Sequence, residues 1–230
     1  MAEKSAKIHK KDGAGMASMD KKALYALTYG LFVLTAKEGD KDNGCIVNTV
    51  QMLTSEPTRV VVFVNKSNYT EGMISRTGLF NVSILQKDTP FALFQHFGFQ
   101  SGKDVDKLAG RVYPRSENGL VYVYENSNAY LSCKVVGKHD YGTHTLFVGE
   151  VIESKVLSSQ KSLSYEQYLS EVKPKPQVQA KPAKEPSAQA APQTEKWVCK
   201  VCGYVHEGPL PEDFICPWCK HPASDFERVS

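Results

Sequence analysis

From Lys173 to Glu195 the chain reads KPKPQVQAKPAKEPSAQAAPQTE, a stretch with almost nothing to bury. Such a segment cannot repay the conformational entropy of folding, and its repeated prolines favour extended polyproline geometry. The sequence therefore predicts a flexible linker over 173–195 that separates two independently folded parts. Residues 20–172 are long enough for a substantial core. Residues 196–230 are too few for one and need another source of stability. The basic start, MAEKSAKIHKKDGAGMASMD, has charge without an apolar stretch or interleaved aromatics, so 1–19 is expected to be a disordered tail and not a secretory signal or a nucleic-acid arm. No apolar run is long enough to cross a bilayer, and the expectation is a cytoplasmic protein with no membrane or nucleic-acid partner.

Residues 20–172 read as strands with short helical interruptions. Asp20 and Gly30 bracket a short helix carrying Leu24 and Leu27. LFVLTA (31–36) and CIVNTVQML (45–53) form a hairpin through Asn43-Gly44. RVVVFVN (59–65) follows Pro57, a helix near 70–77 ends at Gly78, and LFNVSIL (79–85) comes next. Further strands are expected at 120–124, 129–137 and 145–157. The order shows no regular βαβ alternation, which favours a mainly β, antiparallel barrel over a doubly wound sheet.

Four of the six cysteines fall in the last part. Cys199-x-x-Cys202 and Cys216-x-x-Cys219 are separated by thirteen residues, so two knuckles can close a four-sulfur tetrahedral cage. Metal binding would then supply the folding energy that the short stretch lacks. Gly203, after the second ligand, leaves the turn uncrowded. Spacing alone fits a structural zinc ribbon as well as a redox iron site. Trp197, Tyr204, Phe214, Trp218 and Phe226 surround the knuckles and would keep water from the metal, which favours a defined reduction potential over mere scaffolding. Cys45 and Cys133 have no partner at ligand spacing and read as small buried apolar residues.

KWVCKVCGYVHEG and ICPWCKHPASDFERV resemble rubredoxin, with the intervening loop shortened as in the module that ends rubrerythrins. The resemblance implies one iron ion per chain (Fe2+/Fe3+), held by Cys199, Cys202, Cys216 and Cys219, and one-electron transfer.

Two polar stretches in 20–172 also stand out. Asn48, Thr49, Val50 and Gln51 interrupt an apolar run, and Asn65-Lys66-Ser67-Asn68-Tyr69-Thr70 closes a strand and opens a helix, where amides, a lysine and hydroxyls suit a phosphate. The bland readings are the wet face of a strand and an ordinary turn with its N-cap. The series YGLFVLTA, CIVNTVQMLTSEP, VVVFVNKSNYT, FNVSIL, FGFQSGKDVDK and GTHTLFVGEV resembles the flavin-reductase-like proteins with an FMN-binding split barrel. In that family the strand matching Asn48 to Gln51 lies against the flavin ring, and the loop matching Asn65, Lys66 and Ser67, with Thr70 beyond it, holds the phosphate. The position of His144 tends to face flavin or nicotinamide, and the fold is typically a homodimer. Lys103, Asp104 and Lys107 are expected to form a solvated loop.

The whole chain, split barrel plus linker plus short rubredoxin, is similar to the high-molecular-weight rubredoxins. That resemblance implies electron flow from NADH through FMN to iron and on to a flavodiiron protein that reduces nitric oxide or dioxygen. The alternative is a free-standing NAD(P)H flavin or ferric reductase whose tail is a zinc ribbon used for docking.

Overall fold

The computed structural model describes residues 21–174, 195–199, 204–216 and 222–229. The expected tail 1–19, the Asp20 cap, nearly all of the 173–195 linker, and Cys202, Gly203, Trp218 and Cys219 lie outside the described residues.

In β4 (Thr58–Asn65) the side chains of Val60, Val62 and Val64 are buried, with less buried residues between them. That two-residue period is what a sheet packed on one face requires. β7 (His144–Val156) repeats the pattern through Thr145, Phe147 and Gly149. These strands belong to a seven-stranded sheet in the order β2-β1-β5-β6-β7-β4-β3, in which every ladder is antiparallel. The remaining strands are β1 (Phe32–Glu38), β2 (Lys41–Val47), β3 (Val50–Ser55), β5 (Leu79–Leu85) and β6 (Ser127–Asp140). Bulges between Ser132 and Cys133 and between Val135 and Gly137 bend β6. The sheet curls around Leu34, Val62, Phe80, Val82 and Phe147, while its end strands β2 and β3 do not pair with each other, so the barrel is split. On the other side, Val33, Leu85 and Leu163 pack with Phe94 and Phe97 of α2 (Phe91–Gly98), a helix that sequence patterning missed.

Helix α1 (Tyr69–Thr77) is bounded as its sequence dictates: the Asn68 side chain accepts from the Thr70 N–H, and Gly78 ends it at φ 70°. β4, β5, β6 and β7 lie close to their expected spans.

Four expectations need correction. The first hairpin turns at Gly39-Asp40, where Glu38 faces Lys41 and Gly39 has φ 57°, not at Asn43-Gly44. Asn43 is instead buried in β2, donating to Thr70 Oγ1 at 2.8 Å, and Gly44 lies under Phe97. CIVNTVQML is two strands, broken at Asn48-Thr49 where the chain crosses from one edge of the sheet to the other. Residues 120–124 are not a ladder strand. The Leu120 and Val121 carbonyls accept from Asn81 Nδ2 and that of Val121 also from Thr35 Oγ1, while the Val123 N–H donates to Ser83 Oγ. Its backbone pairs only through the isolated Arg115–Val121 bridge, and side chains of β1 and β5 satisfy the groups that face the sheet. Finally, Lys21–Ala26 is a 3-10 turn with Leu24 and Leu27 exposed.

The second part has a three-stranded antiparallel sheet, with β8 (Lys196–Cys199) between β10 (Phe226–Arg228) and β9 (Val205–Glu207).

The barrel interior leaves no room at Gly149, where an added Cβ would sit 2.4 Å from Phe80 Cζ and 3.1 Å from Cys133 Cβ. Phe80 is fully buried and cannot swing away. Gly149→Ala is expected to cost about 1–3 kcal/mol by overpacking, read as a lower urea midpoint with an unchanged slope.

Candidate functional site

Strand β4 ends at Asn65, directly opposite His144 at the start of β7. The chain then turns into α1 through side chains: Asn65 Oδ1 accepts from the Ser67 N–H at 2.9 Å, and Asn68 caps the helix. The turn-plus-cap reading of this stretch is therefore correct as local structure. The same turn forms one wall of a cavity of about 610 Å3.

Asn65, Ser67, Asn68 and Tyr69 line one side of this cavity. Cys45 and Ile46 of β2 and the segment from Phe97 to Lys107 line the rest. That segment is held down tightly. A Cβ on Gly102 would come within 2.2 Å of Asn43 Oδ1, so only glycine lets the backbone approach β2 this closely. His96 Nε2 lies 2.5 Å from the Lys107 carbonyl, which can only accept, so that nitrogen carries the proton.

Of the expected flavin residues, Asn65 and Ser67 line the cavity. Thr70 is fully buried beneath it, bonded to Asn43. Lys66 turns away to pair with Asp140, so it is not the cavity's cation. Asn48, Thr49, Val50 and Gln51 lie outside the cavity lining at the β2–β3 crossing, and Thr49 Oγ1 donates to the Phe63 carbonyl. His144 is also outside the lining, half-buried, with Nδ1 2.9 Å from Thr143 Oγ1.

The expectation that Lys103, Asp104 and Lys107 form a solvated loop holds in part. Lys103 and Asp104 are exposed, though both line the cavity, but Lys107 is only 3% exposed. No spacing rule would have found it, because its burial depends on Gly44 of β2 and Phe97 of α2, far apart in the chain, meeting around it. Cys45 and Cys133 are buried core residues as expected; burial pushes both thiols up, that of Cys133 to about 12.

The cavity's size is in the range of cofactor sites. A polar turn at a helix start, a buried amine and an aromatic rim suit a flat ring system carrying an anionic tail. These residues fit a flavin nucleotide.

In the C-terminal part Cys199 and Cys216 are both fully buried and share one cluster with Phe226. Trp197, Tyr204, Leu210 and Phe214 pack around them. Phe214 stacks near-parallel to Tyr204 and edge-on to Phe226. The Cys199 N–H donates to the Tyr204 carbonyl at 2.8 Å. Two inward thiols inside an aromatic shell fit a metal cage. Phe99, at the rim of the barrel cavity, packs against this same cluster.

Comparison with known proteins divides the chain in the same place. Residues 24–170 match the flavin reductase like domain, and residues 197–227 match the rubrerythrin, rubredoxin-like domain. The chain is 37% identical to a high molecular weight rubredoxin of Moorella thermoacetica, over 92% of this chain and all of that one. It is also 37% identical to a ferric-chelate reductase (NAD(P)H) of Archaeoglobus fulgidus, over 65% of this chain and 89% of the other. Among solved structures, the NADH:FAD oxidoreductase SgcE6 of Streptomyces globisporus superposes on 63% of this chain and 85% of its own, at a TM-score of 0.57 and 21% identity, a likeness of fold. A split barrel with a flavin-sized cavity, followed by a thiol cluster in an aromatic shell, places the chain in the high-molecular-weight rubredoxin family, a flavin-reductase-like domain joined to a rubrerythrin-type rubredoxin domain.

Proposed function

We propose that the protein is an NADH-oxidising electron-transfer enzyme that passes electrons from the barrel cavity to an iron centre in its own C-terminal domain. The observation that carries this reading is Phe99. It lines the cavity and packs on the cluster that contains Cys199 and Cys216, so the two sites share one side chain. FMN, when bound, accepts the two electrons of a hydride and gives them up singly, which is what a one-iron acceptor needs.

The chain's own residues bind, orient and exclude water. Asn65, Ser67 and the α1 turn hold the polar end of the cofactor. The Phe97–Lys107 segment covers it. Asn48, Thr49, Val50, Gln51 and His144 act at the ring edge and the nicotinamide approach. They lie outside the cavity of a single chain, and a second copy would complete the site. β3 ends the sheet, and its exposed Met52 and Leu53 are apolar residues that such a homodimer would cover. Cys199, Cys202, Cys216 and Cys219 bind the iron. The acceptor beyond it is a flavodiiron protein reducing nitric oxide or dioxygen. The names of the relatives support NAD(P)H as the donor and a redox role for the tail. Among the described residues no helix is long and apolar enough to cross a membrane.

The Archaeoglobus relative, which covers 65% of this chain, favours a second reading: a ferric or flavin reductase with an inert zinc tail. Metal analysis separates the two, since iron at about one per chain supports electron transfer and zinc at full occupancy overturns it. Anaerobic mixing with NADH should bleach the flavin first and the iron band second. Phe99→Ala is expected to slow the second phase by on the order of 10- to 100-fold, because small displacements of paired redox sites are costly. An unchanged second phase would remove Phe99 from the path. For the assembly, Leu53→Glu should convert a dimer to a monomer in sedimentation equilibrium.

A further inference from the structure

One side chain belongs to both of the sites described above. Phe99 lines the barrel cavity and packs against the cluster formed by Cys199, Cys216 and Phe226. Among the described residues of the barrel it alone joins that cluster, beside Trp197, Tyr204, Leu210 and Phe214 of the C-terminal part.

The barrel fixes where this ring stands. Phe99 caps the C-terminal end of α2, and its N–H donates to the Gln95 carbonyl at 3.2 Å. Its ring meets that of Phe91, at the start of the same helix, edge-on with centroids 5.7 Å apart. On either side of it the chain is pressed onto β2. A Cβ on Gly98 would lie 3.3 Å from Ile46 Cγ1, and one on Gly102 would lie 2.2 Å from Asn43 Oδ1.

The surface that the ring meets has a different origin. It belongs to a short domain in which metal binding would supply the folding energy. With the thiols loaded, Trp197, Tyr204 and Phe214 are held around them, and Phe99 has a packed apolar partner. With the thiols empty, that contact is weakened and the cavity wall at Phe99 turns to water. The loaded and empty states therefore differ in the wall they give the cavity, and a ligand seated against that wall binds them unequally.

We propose that metal binding at the C-terminal thiols and flavin binding in the barrel cavity are coupled through Phe99, each strengthening the other. This rests on the flavin reading of the cavity and the metal reading of the thiols, and needs no electron transfer between them. Any ion that closes the thiolate cage serves, zinc as well as iron. Coupling between two binding sites is reciprocal, so one factor describes both directions.

The test is fluorescence titration of the full-length protein with FMN, in metal-free and zinc-loaded forms, for the wild type and for Phe99→Ala. Zinc is redox-silent, so the titration reads binding alone. Zinc should tighten FMN binding to the wild type by roughly 5- to 100-fold, and FMN should raise the affinity for zinc, read by competition with a chromophoric chelator, by the same factor. In Phe99→Ala both factors should fall to near one. Equal FMN affinity in the metal-free and zinc-loaded wild type overturns the proposal. A variant that binds FMN more weakly but keeps the wild-type factor overturns it too, because Phe99 is then a cavity wall and nothing more. Coupling found with zinc in a protein that is isolated without iron upholds the proposal while the electron-transfer reading fails. If the zinc-loaded wild type binds no FMN, the flavin reading fails and the coupling falls with it. Should the metal-free protein not stay in solution, the rate of zinc loss to the chelator decides: FMN should slow it in the wild type and not in Phe99→Ala, and any other result overturns the coupling.

Discussion

The β4–β7 ladder is the constraint on which the site depends. Its register, Arg59 against Glu150 through Asn65 against His144, puts the end of β4 beside the start of β7. The Lys66 N–H continues the contact by donating to the Thr143 carbonyl. α1 must therefore begin at this corner, and the cavity's polar wall is built there. A slip of one residue would send Val60, Val62 and Val64 to the opposite face, so burial of the barrel core fixes the register. The site inherits its precision from apolar packing and not from its own hydrogen bonds.

The open seam of the barrel follows from the same sheet. β2 and β3 are its two ends, joined by Asn48-Thr49, yet unpaired with each other. A closed barrel would have filled this region with side chains. Instead β2 is covered by the Phe97–Lys107 segment, whose close approach depends on Gly44 and Gly102 lacking side chains. Polar residues hold the layers together: Asn43 ties β2 to α1, and Thr35, Asn81 and Ser83 tie the sheet to residues 120–123. All four are buried and bonded, so they orient the layers without leaving unpaired groups.

Much of this was legible in the sequence, for identifiable reasons. β4, β5 and α1 have local signals, either two-residue alternation or a cap at each end, and they were placed almost to the residue. The first hairpin was misread because Asn-Gly is a strong turn signal, but here Asn43 serves a tertiary bond and Gly44 makes room for Phe97. Leu120 to Tyr124 has strand composition, yet it makes only one isolated bridge, Arg115 to Val121, and is otherwise tied to the sheet by Thr35, Asn81 and Ser83, side chains too distant in sequence for a local pattern to reveal. Lys107 was read as solvated because lysines usually are. Its burial is a property of two elements meeting, and the charged DVDK surroundings give no hint of it.

The two domains solve the problem of stability differently, and this bears on how they can work together. The barrel has a large apolar core and fixes its own shape. Among its described residues the C-terminal domain has three short strands and a small cluster around Cys199, Cys216 and Phe226. Metal binding by its thiols would supply the stability it lacks, and on the proposed reading metal loading and docking would then be linked. Phe99, like Trp197, Tyr204, Leu210 and Phe214, packs against that cluster. A domain that has lost its metal, and with it the arrangement of that shell, would present Phe99 with a different surface. On the proposed reading, the contact of Phe99 with this cluster would favour a metal-loaded C-terminal domain over an empty one.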